Sequence, residues 1–296
     1  MGRLAALSVA AATVGLVGAQ TPPLPTTCSG TPNTATIWAG EPTLVSTVTN
    51  GFRYTVNANV TPALTVLHVY GSQYDMGYAY GSLMATEIKT LVPQVWAYMD
   101  ATINSSLPAW VPADVRDMIL QYGLPFALDL TYNLTAPYTP TWHTETLQGL
   151  ADGAGIDFNT AAQVAMIPEL IRAACSIIVA WGPATANGAA AGAPVHLRAL
   201  DWNTDGPFQQ FPVLLNFHPN PGNGVAFSSL TWAGMLGAIT AVSSSGMGVG
   251  EKVWYGYDGA FSMAGYVWTF LLQDIAQFAQ DTDTALSMIA TANRTC

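Results

Sequence analysis

Charge is what this chain has least of. Lys and Arg number 8 and Asp and Glu 18 among 296 residues, so charged side chains are 9% of the total and the net charge is −10. A nucleic-acid surface neutralises phosphates with clustered cations, and so few cations exclude that class of partner. Histidine occurs 4 times, at His68, His143, His196 and His218, never at metal-ligand spacing, so no zinc, no other metal and no cofactor is expected. Long apolar runs are missing as well. The uncharged stretch 208–250 is broken by Pro212, Pro219, Pro221 and repeated Gly and Ser, which suits strands and turns and not a membrane span of ~20 residues. What the chain has instead is 50% apolar residues, enough for a large core and against disorder.

The first residues belong to a different category. Arg3 supplies a positive start, Leu4 to Val17 an apolar run and Val17-Gly18-Ala19 a small-residue cleavage site, so residues 1–19 read as a signal peptide and Gln20 as the mature start. Acceptor sequons at Asn59, Asn104, Asn133 and Asn293 agree with a secreted or lysosomal protein. The cysteines number 3, so in an oxidising compartment one is left over after any pairing.

Along the chain, residues 20–40 form a Pro- and Thr-rich lead-in. Thr43 to Val48, Phe52 to Val56 and Leu64 to Val69 have strand composition, with Asn50-Gly51 as the first turn. Ser72 and Asp75 offer a cap for a helix reaching about Met99, and Gly77 and Gly81 share one of its faces and admit close approach of another element. Further helices are expected over Pro112 to Leu124, Glu145 to Ala154 and Thr160 to Ala173, the last capped from Asp157 or Asn159 and kinked by Pro168. Strands follow at Val213 to Phe217, Val225 to Leu230, Leu236 to Val242 and Met247 to Trp254, then helices at Gly265 to about Phe278 and Asp281 to Ala292. The fold class is α+β, with a helix-rich part 20–174 and a strand-rich part 175–296.

Between these parts lies the stretch Ala173-Ala174-Cys175-Ser176-Ile177-Ile178-Val179-Ala180, followed by Val195-His196-Leu197-Arg198-Ala199-Leu200-Asp201-Trp202. Apolar residues on both parities of the first run predict a strand buried on both faces. The Gly- and Ala-rich link 182–194 makes a hairpin of the two. A lone cysteine in an apolar strand is usually a small hydrophobe, yet Arg198 and Asp201 bring a cation and a carboxylate toward this one.

These residues resemble the cysteine branch of the N-terminal-nucleophile hydrolases, and within it acid ceramidase, N-acylethanolamine acid amidase and the penicillin-forming acyltransferase group. In those families a precursor cuts itself before a cysteine that opens a Cys-(Thr/Ser)-Ser/Ile-Ile-Val-type strand, and an Arg-Asn-x-Asp motif follows. Here Ala199 replaces the asparagine. Gly71, Met76, Gly77 and Gly81 resemble the opening of the acyltransferase group, and Trp232-Ala233-Gly234-Met235-Leu236-Gly237 its Ala-Gly strand pair. Glu251-Lys252 falls where ceramidase-type members carry Glu-Arg.

The resemblance implies a four-layer αββα sandwich, a cut between Ala174 and Cys175 that makes two chains from one precursor, and acyl transfer through a thioester on Cys175. Arg198, Asp201 and Glu251 are the other catalytic candidates, although Glu251 also reads as structural and Asn203 as support for a turn. The substrate would be a small amide or acyl lipid with an apolar acyl group. A thiol with a pKa of ~8.5 is only about one part in three thousand ionised at pH 5, so the new α-amino group serves as base and Arg198 favours the thiolate. Residues 198 and 201 point to opposite faces of a regular strand, so Asp201 must lie at a bend or past the strand end. Cys28 and Cys296 are left either to bridge the two products or to remain unpaired or intermolecular. Tyr138, Trp142, Trp181, Trp202, Trp232 and Trp254 are candidates for an acyl pocket. The asparagine that the resemblance implies for the oxyanion is not found before Cys296, so the chain reads as a partial one. A phospholipase-B-like or penicillin-acylase-like enzyme and a non-catalytic lipid- or partner-binding relative are the alternatives. A papain-like protease is disfavoured, because its cysteine sits on a helix and Cys175 opens a strand.

Overall fold

A turn signal and strand composition build the first three strands where the sequence places them. In the computed structural model, which describes residues 40–56, 58, 61–106, 113–170, 174–186, 190–201, 206–252, 262 and 264–295, β1 (Thr43–Val48) and β2 (Gly51–Val56) pair antiparallel. Asn50 turns the chain at a φ of 61°, a conformation that Asn tolerates better than most residues. β3 (Leu64–Gly71) pairs antiparallel with β2.

Helix α1 (Gln73–Leu83) starts at the expected cap, where Ser72 and Asp75 form a reciprocal capping box. It packs on α4 (Thr141–Ala154) through glycines from both helices. A Cβ on Gly77 would lie 2.1 Å from the Thr146 carbonyl oxygen, one on Gly81 2.3 Å from that of Leu150, and one on Gly149 2.2 Å from that of Tyr74. The two backbones therefore touch.

The single helix expected to reach Met99 instead breaks at Met84, and α2 (Ala85–Ser106) continues in its place. Packing overrides propensity here. α1 is held against α4, while α2 carries Tyr98 to Phe208 and Gly206. Arg53 stabilises the break by donating to the Leu83 carbonyl at 3.0 Å and pairing with Glu87.

Helix α3 (Ala113–Thr135) runs past its expected end at Leu124, because the apolar face continues through Leu128 despite Pro125. α4 begins before the expected Glu145. α5 (Phe158–Leu170) is capped by Asp157, which accepts from the Asn159 amide at 2.8 Å.

Beyond residue 200 the order of elements holds while their bounds shift. β6 (Pro212–Pro219) lies parallel beside β3, and β7 (Phe227–Trp232), β8 (Thr240–Ser243) and β9 (Gly248–Gly250) extend the sheet to the order β1-β2-β3-β6-β7-β8-β9. The expected start of β8 at Leu236 falls in a turn, where Gly234 and Gly237 take φ of 86° and 92°. The buried Tyr80 hydroxyl accepts from the Gly234 amide at 2.8 Å and donates to the Trp232 carbonyl at 3.0 Å. α6 (Trp268–Phe278) begins later than Gly265 because Tyr266 bridges to Arg294, and α7 (Thr282–Thr291) is capped by Asp281.

One face of this sheet is the core. Leu67, Val69, Val213, Leu215 and Phe217 pack with Met76, Tyr80, Ile88, Phe270 and Ile275 of the helices. The parallel β3–β6 pair joins strands from either side of residue 175, so segments 20–174 and 175–296 share one sheet. The architecture is α+β.

A second sheet of two antiparallel strands, β4 (Ala174–Ala180) and β5 (Val195–Asp201), lies on the other face, over β9. The expectation that β4 is buried on both faces is corrected. Cys175 is 3% exposed, but Ile178 and its cross-strand partner Leu197 are 63% and 54% exposed. Only the inner side of the hairpin is covered by the large sheet among the described residues. No helix among those residues is long and apolar enough to cross a membrane.

A methyl group at the α1–α4 contact meets backbone and not a yielding side chain. Gly77→Ala is expected to cost about 1–3 kcal/mol, read as a fall in the chemical denaturation midpoint; an unchanged midpoint contradicts this packing.

Candidate active site around Cys175

Strand register decides which side chains can meet. Cys175 pairs with Leu200 and Ile177 with Arg198, so Arg198 is the diagonal neighbour of Cys175 on the inner side, a separation that a long side chain spans. Its Nη2 donates to Cys175 Sγ at 3.0 Å. Glu251 arrives from the end of β9, with its main chain held by a 3.0 Å hydrogen bond to the Ile239 carbonyl. Its Oε2 lies 2.8 Å from Sγ and 3.1 Å from Arg198 Nη2. A thiol, a guanidinium and a carboxylate thus touch one another.

Burial sets the electrostatics. The Arg198 and Glu251 side chains are 7% and 13% exposed, where each charge needs the other. Burial, then the hydrogen bond and charge of Glu251, push the Cys175 thiol from its ordinary 9.0 up to about 11, against the lowering effect of Arg198. The neutral thiol therefore donates to Glu251 while accepting from Arg198. Arg198 Nε is buried without a hydrogen-bond partner among the described residues, a donor available at the site.

Asp201 is the last residue of β5, opposite Ala174. It is still paired within the strand, neither at a bend nor past the end as its expected role requires, and its carboxylate accepts from Ser176 Oγ at 3.2 Å on the outer side, not from the thiol. The 198-to-201 spacing is the reason, since it changes face. Ala174 opens β4, which places the Ala174–Cys175 bond at the start of the strand.

Other expected residues stand apart. Trp142 donates to Asp274, Trp232 packs edge-on against Phe208, and Trp181 and Tyr138 are exposed; these four do not line a common pocket. Trp202, Asn203, Trp254, Cys28, Cys296, Asn59 and the segment 1–19 lie outside the described residues, as does the Asn104 side chain. Asn133 and Asn293 are exposed, and the Thr135 and Thr295 of their sequons are buried.

Two clusters had no signal in the sequence because their members are far apart along it. Asp274 accepts from Trp142 at 3.0 Å, pairs with His143 at 2.9 Å and accepts from the Tyr266 hydroxyl, which ties α4 to α6. His68 and His218, on neighbouring β3 and β6, are 2.9 Å apart. Burial lowers the pKa of both, and for His218 the charge of His68 adds to the effect. Among the described residues no group of three or more His, Cys, Asp or Glu could hold a metal ion.

Fold and site together define a class: an α+β protein with a buried thiol, guanidinium and carboxylate where a two-stranded sheet meets a larger one. No family model matches the chain. It is similar to Protein dcd1A of Dictyostelium discoideum, 35% identical over 279 residues that make up 91% of this chain and 62% of that protein. Protein dcd1B of the same organism is 34% identical over 264 residues, 88% of this chain and 52% of that protein. An uncharacterized protein of Archaeoglobus fulgidus is 22% identical over 253 residues, 77% of this chain and 39% of that protein. The chain spans 62% and 52% of the length of the two Dictyostelium relatives, and none of the three names states an activity.

Reaction of Cys175 with iodoacetamide is expected to rise with pH up to a midpoint near 11. Glu251→Gln removes a negative neighbour and lowers that midpoint, and each unit of lowering gives about tenfold faster alkylation at pH 8. Arg198→Met acts in the opposite direction. A Glu251→Gln midpoint equal to or above that of the unmodified chain contradicts the assigned contacts. The folded thiol keeps its proton after the unfolded one has lost it. Its contribution to stability is therefore whole below about pH 9 and lost between there and about pH 11.

Proposed function

We propose that the chain is the precursor of a secreted or lysosomal cysteine amidase or acyltransferase of the N-terminal-nucleophile type. The observation that carries this reading is the contact of Cys175 Sγ with both Arg198 and Glu251, one residue after the start of a strand. In this reading the seven-stranded sheet and the β4–β5 hairpin are the inner layers of an αββα sandwich. The exposed Ile178 and Leu197 mark the side that its second helical layer covers.

The first reaction is the self-cut. Glu251 Oε2 takes the thiol proton, and Sγ adds to the Ala174 carbonyl carbon. The carbon–nitrogen bond to Cys175 breaks as the nitrogen takes up that proton, leaving a thioester. Water hydrolyses the thioester to an Ala174 carboxylate and a Cys175 thiol with a free α-amine. A carboxylate is a weak base for so high a thiol, which a one-time cut tolerates.

After the cut the amine replaces Glu251 as proton acceptor, and Asp201 would have to turn from Ser176 to receive its hydrogen bonds. Sγ then attacks an amide carbonyl of a small amide or acyl lipid, the amine product leaves with a proton, and water or an acceptor amine takes the acyl group. Arg198 Nε, without a partner among the described residues, is a donor for the developing oxyanion. The scarcity of cations disfavours nucleic-acid substrates.

A non-catalytic binding relative is the second reading, favoured by a thiol as high as about 11. Mass spectrometry of the secreted protein separates the two. The enzyme yields a fragment beginning at Cys175, and Cys175→Ala abolishes it together with amide turnover. An intact Ala174–Cys175 bond in mature protein sinks the enzyme reading.

A further inference from the structure

The hairpin and the large sheet meet at a glycine. Gly250 ends β9, and a Cβ there would lie 2.7 Å from His196 Cε1, 2.9 Å from His196 Nε2 and 3.5 Å from Ile177 Cδ1. Gly248, two residues earlier on the same side, leaves 3.7 Å to His196 Nδ1. Gly250 is not among the glycines with positive φ, so what a side chain there would meet is the His196 ring and not backbone strain. The imidazole occupies the volume that any side chain at 250 would need.

Both sides of this contact lead directly into the site. His196 stands two residues before Arg198 on the same side of β5, and Gly250 is bonded to Glu251. The Glu251 main chain is in turn anchored to Ile239. The covalent path from this contact to the site is short on each side.

We propose that His196 and Gly250 are positioning residues: the imidazole seated on the Gly250 backbone sets the separation of β5 from β9 and so places the Glu251 carboxylate against Cys175. This rests on the reading of Cys175, Arg198 and Glu251 as the site, and adds to it two residues that touch neither sulfur nor substrate.

The test uses the full chain and the pH midpoint of Cys175 alkylation by iodoacetamide. Gly250→Ala wedges β9 away, moves Glu251 from the sulfur and lowers the midpoint toward that of Glu251→Gln. Self-cutting slows about 10²-fold, the scale of a 1 Å misplacement. In a Glu251→Gln background Gly250→Ala shifts the midpoint no further, because its effect runs through that carboxylate. His196→Ala combined with Gly250→Ala makes room for the methyl group and returns the midpoint toward the unmodified value. Three results overturn the proposal: an unshifted midpoint in folded Gly250→Ala, an equal further shift on top of Glu251→Gln, or a double variant no better than Gly250→Ala alone. Should Gly250→Ala fail to fold, His196→Ala, which adds no atoms, decides the matter: a shifted midpoint supports the proposal and an unchanged one overturns it. A chain that never cuts itself defeats the enzyme reading and still leaves the midpoint comparison to decide this one.

Discussion

An ion pair shut away from water, with a sulfur against both of its members, is the constraint on which the rest of this structure turns. Removing either Arg198 or Glu251 leaves a buried charge without its partner, a loss of about 3–5 kcal/mol in comparable cases. The pair also fastens two separate sheets, because one charge is on the hairpin and the other at the end of β9. Whatever moves β9 changes the environment of the thiol.

The scaffold behind β9 is tied down step by step. Glycines seat α1 on α4. Tyr80 of α1 then holds the turn after β7 by hydrogen bonds to Trp232 and Gly234, and that turn leads to Ile239, whose carbonyl receives the Glu251 amide. Residues of the N-terminal segment thus help to place a carboxylate of the C-terminal one. The parallel β3–β6 pair gives the two segments a shared sheet, so the proposed cut would sever the chain without separating the pieces.

Much of this was legible in the residues themselves. The Asn50 turn, the Ser72 cap and the close approach at Gly77 and Gly81 follow from local geometry that depends on a few adjacent side chains. The break at Met84 and the extension of α3 beyond Leu124 did not, because both answer to partners brought from elsewhere. The bend or chain end that would turn Asp201 toward the thiol is not there: it stays paired in β5, and alternation puts its carboxylate beside Ser176, on the side away from Arg198. Glu251 was ambiguous in the sequence, and its contact with a cysteine 76 residues away removes part of the ambiguity.

By itself the sequence determined the order of the secondary elements, though not all their bounds, the shortage of cations and a hairpin with Cys175 near its start, since these depend on composition and on neighbours within a few positions. Tertiary structure alone decided that, among the described residues, only one side of that hairpin is covered, that Glu251 and not Asp201 reaches the sulfur, and that His196 rests on Gly250. Each of these is a contact between segments distant in the chain, and such contacts leave no periodic trace in either segment.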